Sequence, residues 1–185
     1  EMTAEGLVQG CDVHILAKSD KVAQPHPRYR VAMALNYPAN FSQWQLDLAD
    51  EVVSGAAAAL GVQDAAIHCE CMVNESGVFL LEMAARPGGQ HIFSHIVEAV
   101  SGVDMPLALT NILLGQEARL APAVQRGACY RFFSPPPGTF QEALHLDDAR
   151  MSPGVLALGL RLEPGTSVGA IASDASRPGF VVTAG

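Results

Sequence analysis

The chain has 185 residues, 49% of them apolar, and a formal net charge of −8. That length fits one domain, or one domain with a small companion, and the apolar fraction suits a packed core rather than disorder. With only 11 Lys and Arg and no basic cluster among them, nucleic acid and anionic membranes are poor partners, and no apolar run reaches the roughly 18 residues that would span a bilayer.

The first residues, EMTAEGLVQG, lack the basic start and apolar centre of a secretion signal. Position 1 is not Met, so we expect a piece cut from a longer, cytoplasmic protein. Cys11, Cys69, Cys71 and Cys129 form no CxxC, which leaves buried free thiols in a reducing compartment as the simplest reading. GLVQGCDVHILAK, residues 6–18, alternates loosely and predicts a hairpin turning near Gln9-Gly10. The proline-rich crossing that follows predicts one strand near Arg30 to Leu35. His26, Arg28 and Arg30 project from it, either into solvent or toward a substrate.

Ser42 is a good N-cap for a helix carrying Trp44, Leu48, Val52 and Val53 at helical spacing, with Gly61 as its stop. Trp44 is expected to be a packing anchor. AIHCECMVNESGVFLLEMAARPGGQ, residues 66–90, then predicts two strands, a turn over Asn74 to Gly77, and a glycine-rich corner opening a helix. In the first strand His68, Glu70 and Met72 point one way, and Cys69 and Cys71 the other. In the second, Val78, Leu80 and Glu82 are expected to share a face. A carboxylate inside an apolar strand is costly unless it is paired or bound to metal. Glu70 and Glu82 are thus candidates for one cavity, with a salt bridge to Arg86 as the structural alternative. A zinc site from His68, Cys69 and Glu70 is disfavoured, because alternation turns Cys69 away.

Gly88 and Gly89 permit close backbone approach and leave free N–H groups at a helix start, an anion-binding arrangement. The helix runs from about Gln90 to Val100, with Gly102 as stop. His91 and His95 share a face on it, open to packing or to metal. A second helix starts after Asp104, with Pro106 in its first turn, and ends at Gly115. Beyond residue 117 the sequence turns β-rich: GACYRFF, GVLALGLRLEPG, SVGAIASDA and GFVVTA predict strands divided by Pro-Gly turns. Two units follow, residues 1–117 and 118–185, in an α+β chain. Arg131, in an apolar strand, is expected in a structural ion pair.

HCECMVNESGVFLLEMAARPGG resembles the distal half of the ATP-grasp signature. In that family one glutamate lies on a first strand, and a second follows about a dozen residues later in an E-x-N-x-R pattern. EGLVQGCDVHILAKSDK resembles the strand pair after the family's nucleotide hinge. The stretch from PGV through EPGTSV to RPGFVVTAG resembles the C-terminal module of the L-amino-acid ligase and biotin-carboxylase-like branches. The resemblance implies the C-terminal lobe of an ATP-grasp fold, an antiparallel sheet with flanking helices, followed by a small β-rich module. It implies ligation of a carboxylate to an amine through an acyl phosphate made from ATP, with amino-acid or dipeptide-like substrates and room for a homodimer. It implies Glu70 and Glu82 as ligands of Mg²⁺ or Mn²⁺, Arg86 as the catalytic clamp on the acyl phosphate, and Lys21 on the nucleotide. Gly88, Gly89, Gln90 and His26 would meet the substrate. Phosphoribosylamine–glycine ligase and a biotin-dependent carboxylase component are the rival enzymes, and a non-catalytic nucleotide- or partner-binding module the rival from another class. Two departures stand out: Ala84 replaces the family's Asn, removing an amide ligand, and the family's first lobe, with its phosphate-covering loop, should precede residue 1. The chain alone is therefore expected to be inactive.

Overall fold

The computed structural model describes residues 1–24, 30–89 and 91–185. The chain opens with a hairpin, β1 (Met2–Gln9) and β2 (Asp12–Ala23). It turns at Gly10, whose φ of +60° is a left-handed conformation that glycine adopts without steric cost. β3 (Ala32–Tyr37) pairs back onto β2. α1 (Gln43–Ala59) follows, its first turn closed by Gln45 Oε1, which accepts from the Ser42 amide at 3.1 Å and the Ser42 hydroxyl at 2.7 Å. β4 (Ala65–Asn74) and β5 (Gly77–Ala84) make the second hairpin.

A π-helical turn, Ile92–Ile96, leads into α2 (Val97–Ser101), which ends at left-handed Gly102. Asp104 caps α3 (Met105–Leu113), its Oδ1 accepting the Leu107 amide at 2.9 Å. The rest is β6 (Ala128–Phe132), β7 (Gly138–Thr139), α4 (Leu146–Arg150), β8 (Val155–Leu160), β9 (Ser167–Val168) and β10 (Gly179–Ala184). No single helix among the described residues is long and apolar enough to cross a membrane.

β1 to β6, β8 and β10 form one eight-stranded sheet in the order β5-β4-β1-β2-β3-β6-β10-β8, every pairing antiparallel. The class is α+β, as expected. Residues beyond 117 extend this same sheet through the β3–β6 ladder, where Leu35 pairs with Tyr130. Each face carries its own core. On one, α1 presents Ala49, Val53 and Ala57, spaced four apart, to Met2, Ala4, Val8, Ile67, Cys69 and Cys71. On the other, Ile92, Ile96, Val97, Met105 and Ala108 from the helical segment cover Leu7, Leu16, Leu35, Tyr37, Tyr130 and Val182.

Three local expectations are corrected. Trp44 is 50% exposed rather than a packing anchor. It stands five residues before Ala49, which at 3.6 residues per turn is about 140° around the helix from the buried stripe. SVGAIASDA contributes only the two residues of β9, followed by a 3₁₀ turn at Asp174–Ser176. Finally, Val78, Leu80 and Glu82 do not share a face. Val78 pairs with Val73 and Leu80 with Cys71, but the register then shifts and Glu82 pairs with Glu70. Leu81 is the extra residue of a β-bulge, and it turns Glu82 toward the opposite face from Leu80.

Candidate functional site

The pairing registers set a row of polar side chains across the sheet: Glu82 opposite Glu70, Glu70 opposite Thr3, and Thr3 opposite Ser19. Directly opposed residues of an antiparallel ladder lie on one face, so the two carboxylates named from the sequence do meet. One step along the strands, Glu5 lies opposite His68. Thr3, Glu5, Ser19 and His68 are buried, and their hydrogen bonds account for most of that polarity. Thr3 Oγ1 and Ser19 Oγ are 2.6 Å apart, and His68 Nδ1 is 2.6 Å from Glu5 Oε1.

Thr3, His68 and Glu70 line a cleft of about 490 Å³ that is also bounded by Lys21, Arg30, Arg86, Arg161 and Arg177. Five cations gathered in one hollow of an acidic protein mark a place for anions. Lys21 Nζ donates to Glu70 Oε2 at 2.6 Å and lies 3.6 Å from Glu1 Oε2, and Arg30 pairs with Glu1 in turn. His68 Nε2 stands 3.9 Å from Glu70 Oε1. His68 and Lys21 together hold the Glu70 carboxyl down at about 2 against the opposing effect of burial. Burial alone would lower His68, but Glu5 and Glu70 outweigh it and push the imidazole up to about 9. Burial drives the Glu5 carboxyl upward, against the pull of His68. Glu5, His68, Glu70 and Lys21 thus form a chain of paired titratable groups running from the buried sheet to the cleft.

Of the residues singled out from the sequence, Lys21, Glu70, Arg86 and Gly89 line this cleft. Glu82 is exposed beside Glu70. Gly88 is buried against Glu5: a β-carbon there would lie 2.8 Å from the Glu5 carboxyl carbon, so only glycine seats the loop at this depth. Gly89 has open space where a β-carbon would be. Arg86 donates to the Pro87 carbonyl at 2.8 Å and makes no ion pair among the described residues, so the salt-bridge alternative for Glu70 is filled by Lys21 instead. His26 and Gln90 lie outside the described residues. His91 and His95 do meet, with ring centroids 5.1 Å apart, but His91 packs on Phe180 at 4.7 Å, and no cluster of three metal-ligating side chains occurs among the described residues. Cys69 is buried on the α1 face, away from His68 and Glu70.

Sequence reasoning missed Glu5, Arg161 and Arg177, and it set His68 on the face of Glu70 without giving it a part in the site. Glu5 and His68 each begin a stretch quoted for the resemblance, EGLVQGCDVHILAKSDK and HCECMVNESGVFLLEMAARPGG, but neither is given a role by it. Arg177 belongs to a loop 91 positions after Arg86, and only the fold joins the two.

Residues 131–185 match the family described as L-amino acid ligase C-terminal domain 2. No curated protein matches the chain. Solved structures share its fold. L-amino acid ligase from Bacillus licheniformis is 21% identical over 99% of this chain and 46% of its own, with a TM-score of 0.83. Phosphoribosylglycinamide synthetase from Anaerococcus prevotii is 13% identical over 99% of this chain and 47% of its own, with a TM-score of 0.79. Biotin carboxylase from Campylobacter jejuni, solved with a nucleotide, is 17% identical over 100% of this chain and 41% of its own, with a TM-score of 0.66. The chain spans less than half the length of each of these. The ATP-grasp resemblance expected from the sequence is present in the fold, and the C-terminal third carries the ligase-domain match.

Proposed function

We propose that this chain supplies the metal-phosphate and acyl-activating side of an ATP-dependent carboxylate–amine ligase site acting on amino-acid-like substrates. The observation that carries the reading is the Glu70–Glu82 cross-strand pair beside Arg86 and the Gly88-Gly89 loop, at the edge of a cationic cleft. Like charges opposed across a ladder destabilise it. Two hard oxygen donors so placed suit Mg²⁺ or Mn²⁺, leaving coordination sites for phosphate and water. The donor class therefore fits the metal, with Glu70 and Glu82 as its protein ligands; when bound, the ion neutralises charge on the ATP phosphates.

The chain's own residues supply the rest. Lys21, already paired with Glu70, is a point charge for a phosphate oxygen. Arg86 offers a planar fork to the acyl phosphate, or to the tetrahedral centre formed when the amine attacks. The Gly88-Gly89 backbone approaches that centre without a side chain in the way.

The test is phosphate release from ATP by the full-length protein, screened over L-amino acids. We expect release that requires Mg²⁺ and is stimulated by an amino acid. Glu82→Gln should lower it by about 100-fold, equivalent to about 2.7 kcal/mol of barrier. Full turnover in that variant would defeat the site assignment. A second reading, a non-catalytic nucleotide-binding module, is favoured by Ala84 and by the existing Lys21 partner of Glu70. It predicts nucleotide binding with no amino-acid stimulation.

A further inference from the structure

The sequence pointed to the β4–β5 side of the cleft, but the opposite wall carries chemistry too. Arg177 reaches the cleft from the loop before β10. Its side chain is only 12% exposed, and its guanidinium carbon lies 3.6 Å over the Phe132 ring. Three contacts hold it in place: hydrogen bonds from Nη1 to the Ala32 carbonyl at 3.0 Å and from Nε to the Asp174 carbonyl at 3.2 Å, and an ion pair of Nη2 with Asp174 Oδ2 at 3.1 Å. A guanidinium has five N–H donors, so two are left over among the described residues. Beside it Arg161, at the end of β8, is exposed to the cleft and has no ion pair among the described residues. An Arg held over an aromatic ring, with a second Arg beside it, is preorganised for a planar two-oxygen anion.

Carboxylate–amine ligation creates a need for such a group. One carboxylate is activated and must lie with the phosphates, near Glu70 and Arg86. If the amine comes from an amino acid, its own carboxylate must stay ionised and away from that chemistry. The strand carrying Phe132 lies four strand spacings from that of Glu70, roughly 19 Å of sheet at about 4.8 Å each, and long side chains from both walls narrow the gap. The cleft volume of about 490 Å³ is in the range of small-molecule sites.

We infer that Arg177 and Arg161 anchor the spectator carboxylate of the amine substrate, so that the C-terminal strands select an amino acid over a simple amine. This rests on the ligase reading above, but it can fail separately. The Nε–H resonances of Arg161 and Arg177 are followed by NMR in the chain, titrated with L-alanine, L-alaninamide or inorganic phosphate. We expect L-alanine to shift both signals and L-alaninamide to leave them in place. Arg161→Ala, at an exposed position, should weaken L-alanine binding by about 3- to 10-fold, and Arg177→Lys, which keeps the charge but not the fork, by about 10-fold or more. Should Arg177→Lys disturb the fold, Arg161→Ala alone decides. Equal binding of L-alanine and L-alaninamide, unchanged affinity in Arg161→Ala, or movement of the Arg161 and Arg177 signals at lower concentrations of phosphate than of L-alanine would each overturn the assignment. Loss of the ligase reading would show instead as absent amino-acid-stimulated phosphate release with this binding intact.

Discussion

Adjacent glycines at the cleft have different jobs. Gly88 has no room for a β-carbon because the Glu5 carboxylate fills the space, whereas Gly89 faces open cleft. Gly88→Ala should therefore cost about 1–3 kcal/mol, since neither the loop nor a buried Glu5 can move away freely, while Gly89→Ala should change stability by less than about 0.5 kcal/mol. Urea unfolding of the two variants checks this; equal effects would mean that Glu5 does not support the loop. Beneath them, this chain of titratable groups makes stability depend on pH at both ends. Glu70 is held at about 2 in the folded chain, below its ordinary value, so its contribution is present above about pH 4.5 and fades as pH falls toward 2. His68 is raised to about 9, so its contribution is full below about pH 6.5 and fades as pH rises through 9. In metal-free buffer the urea midpoint should decline between pH 6.5 and 9, with Glu5, Glu70 and Lys21 as the titratable groups around the imidazole. In His68→Gln that alkaline decline should flatten. A parallel decline in both proteins would place its origin elsewhere.

The bulge at Leu81 decides whether there is a two-carboxylate site at all. Counting pairs regularly from the Asn74–Gly77 turn would set Glu82 opposite Cys69, on the buried α1 face. The shift between Glu70 and Cys71 sets it opposite Glu70 instead. Removing Leu81 should therefore leave Glu82 opposite Glu70 in a now regular ladder and retain the Mg²⁺ response. Moving the carboxylate into the bulge, by Leu81→Glu with Glu82→Leu, should abolish it. The reverse pattern in a phosphate-release assay would refute the bulge's role. None of this was legible in the sequence. Phe79-Leu80-Leu81 is a continuous apolar run, so no alternation of polar and apolar residues marks where the extra residue sits. The hairpins, the Ser42 and Asp104 caps and the glycine stops were legible, because each rests on a local rule of backbone geometry. Trp44 was not, since its aromatic character says nothing about its angle from the Ala49–Val53–Ala57 stripe.

At the scale of the molecule, the composition shift near residue 117 marks a change of secondary structure, but the sheet and the larger core run across it. Leu35 and Tyr37 from the first part pack with Tyr130, Phe132 and Val182 from the second under the same helices, and Arg177 of the second bonds the Ala32 carbonyl of the first. Long-range pairing of this kind leaves no local trace in sequence, which is why the cationic wall of the cleft went unread while the Glu70–Arg86 stretch was found. Cutting the chain after Gly127 would expose the β3 edge, with its unpaired backbone groups, together with that apolar cluster. We expect the intact chain to unfold in one calorimetric transition, and residues 1–127 alone to aggregate or to bind a hydrophobic dye without cooperative melting. Independent modules would give two transitions, and the shorter piece would melt near one of them. The cooperative outcome matters for chemistry, because the Arg177 wall would then be held against the Glu70 wall by the core itself, and the separation of two anions in the cleft would be a property of the fold rather than of a hinge.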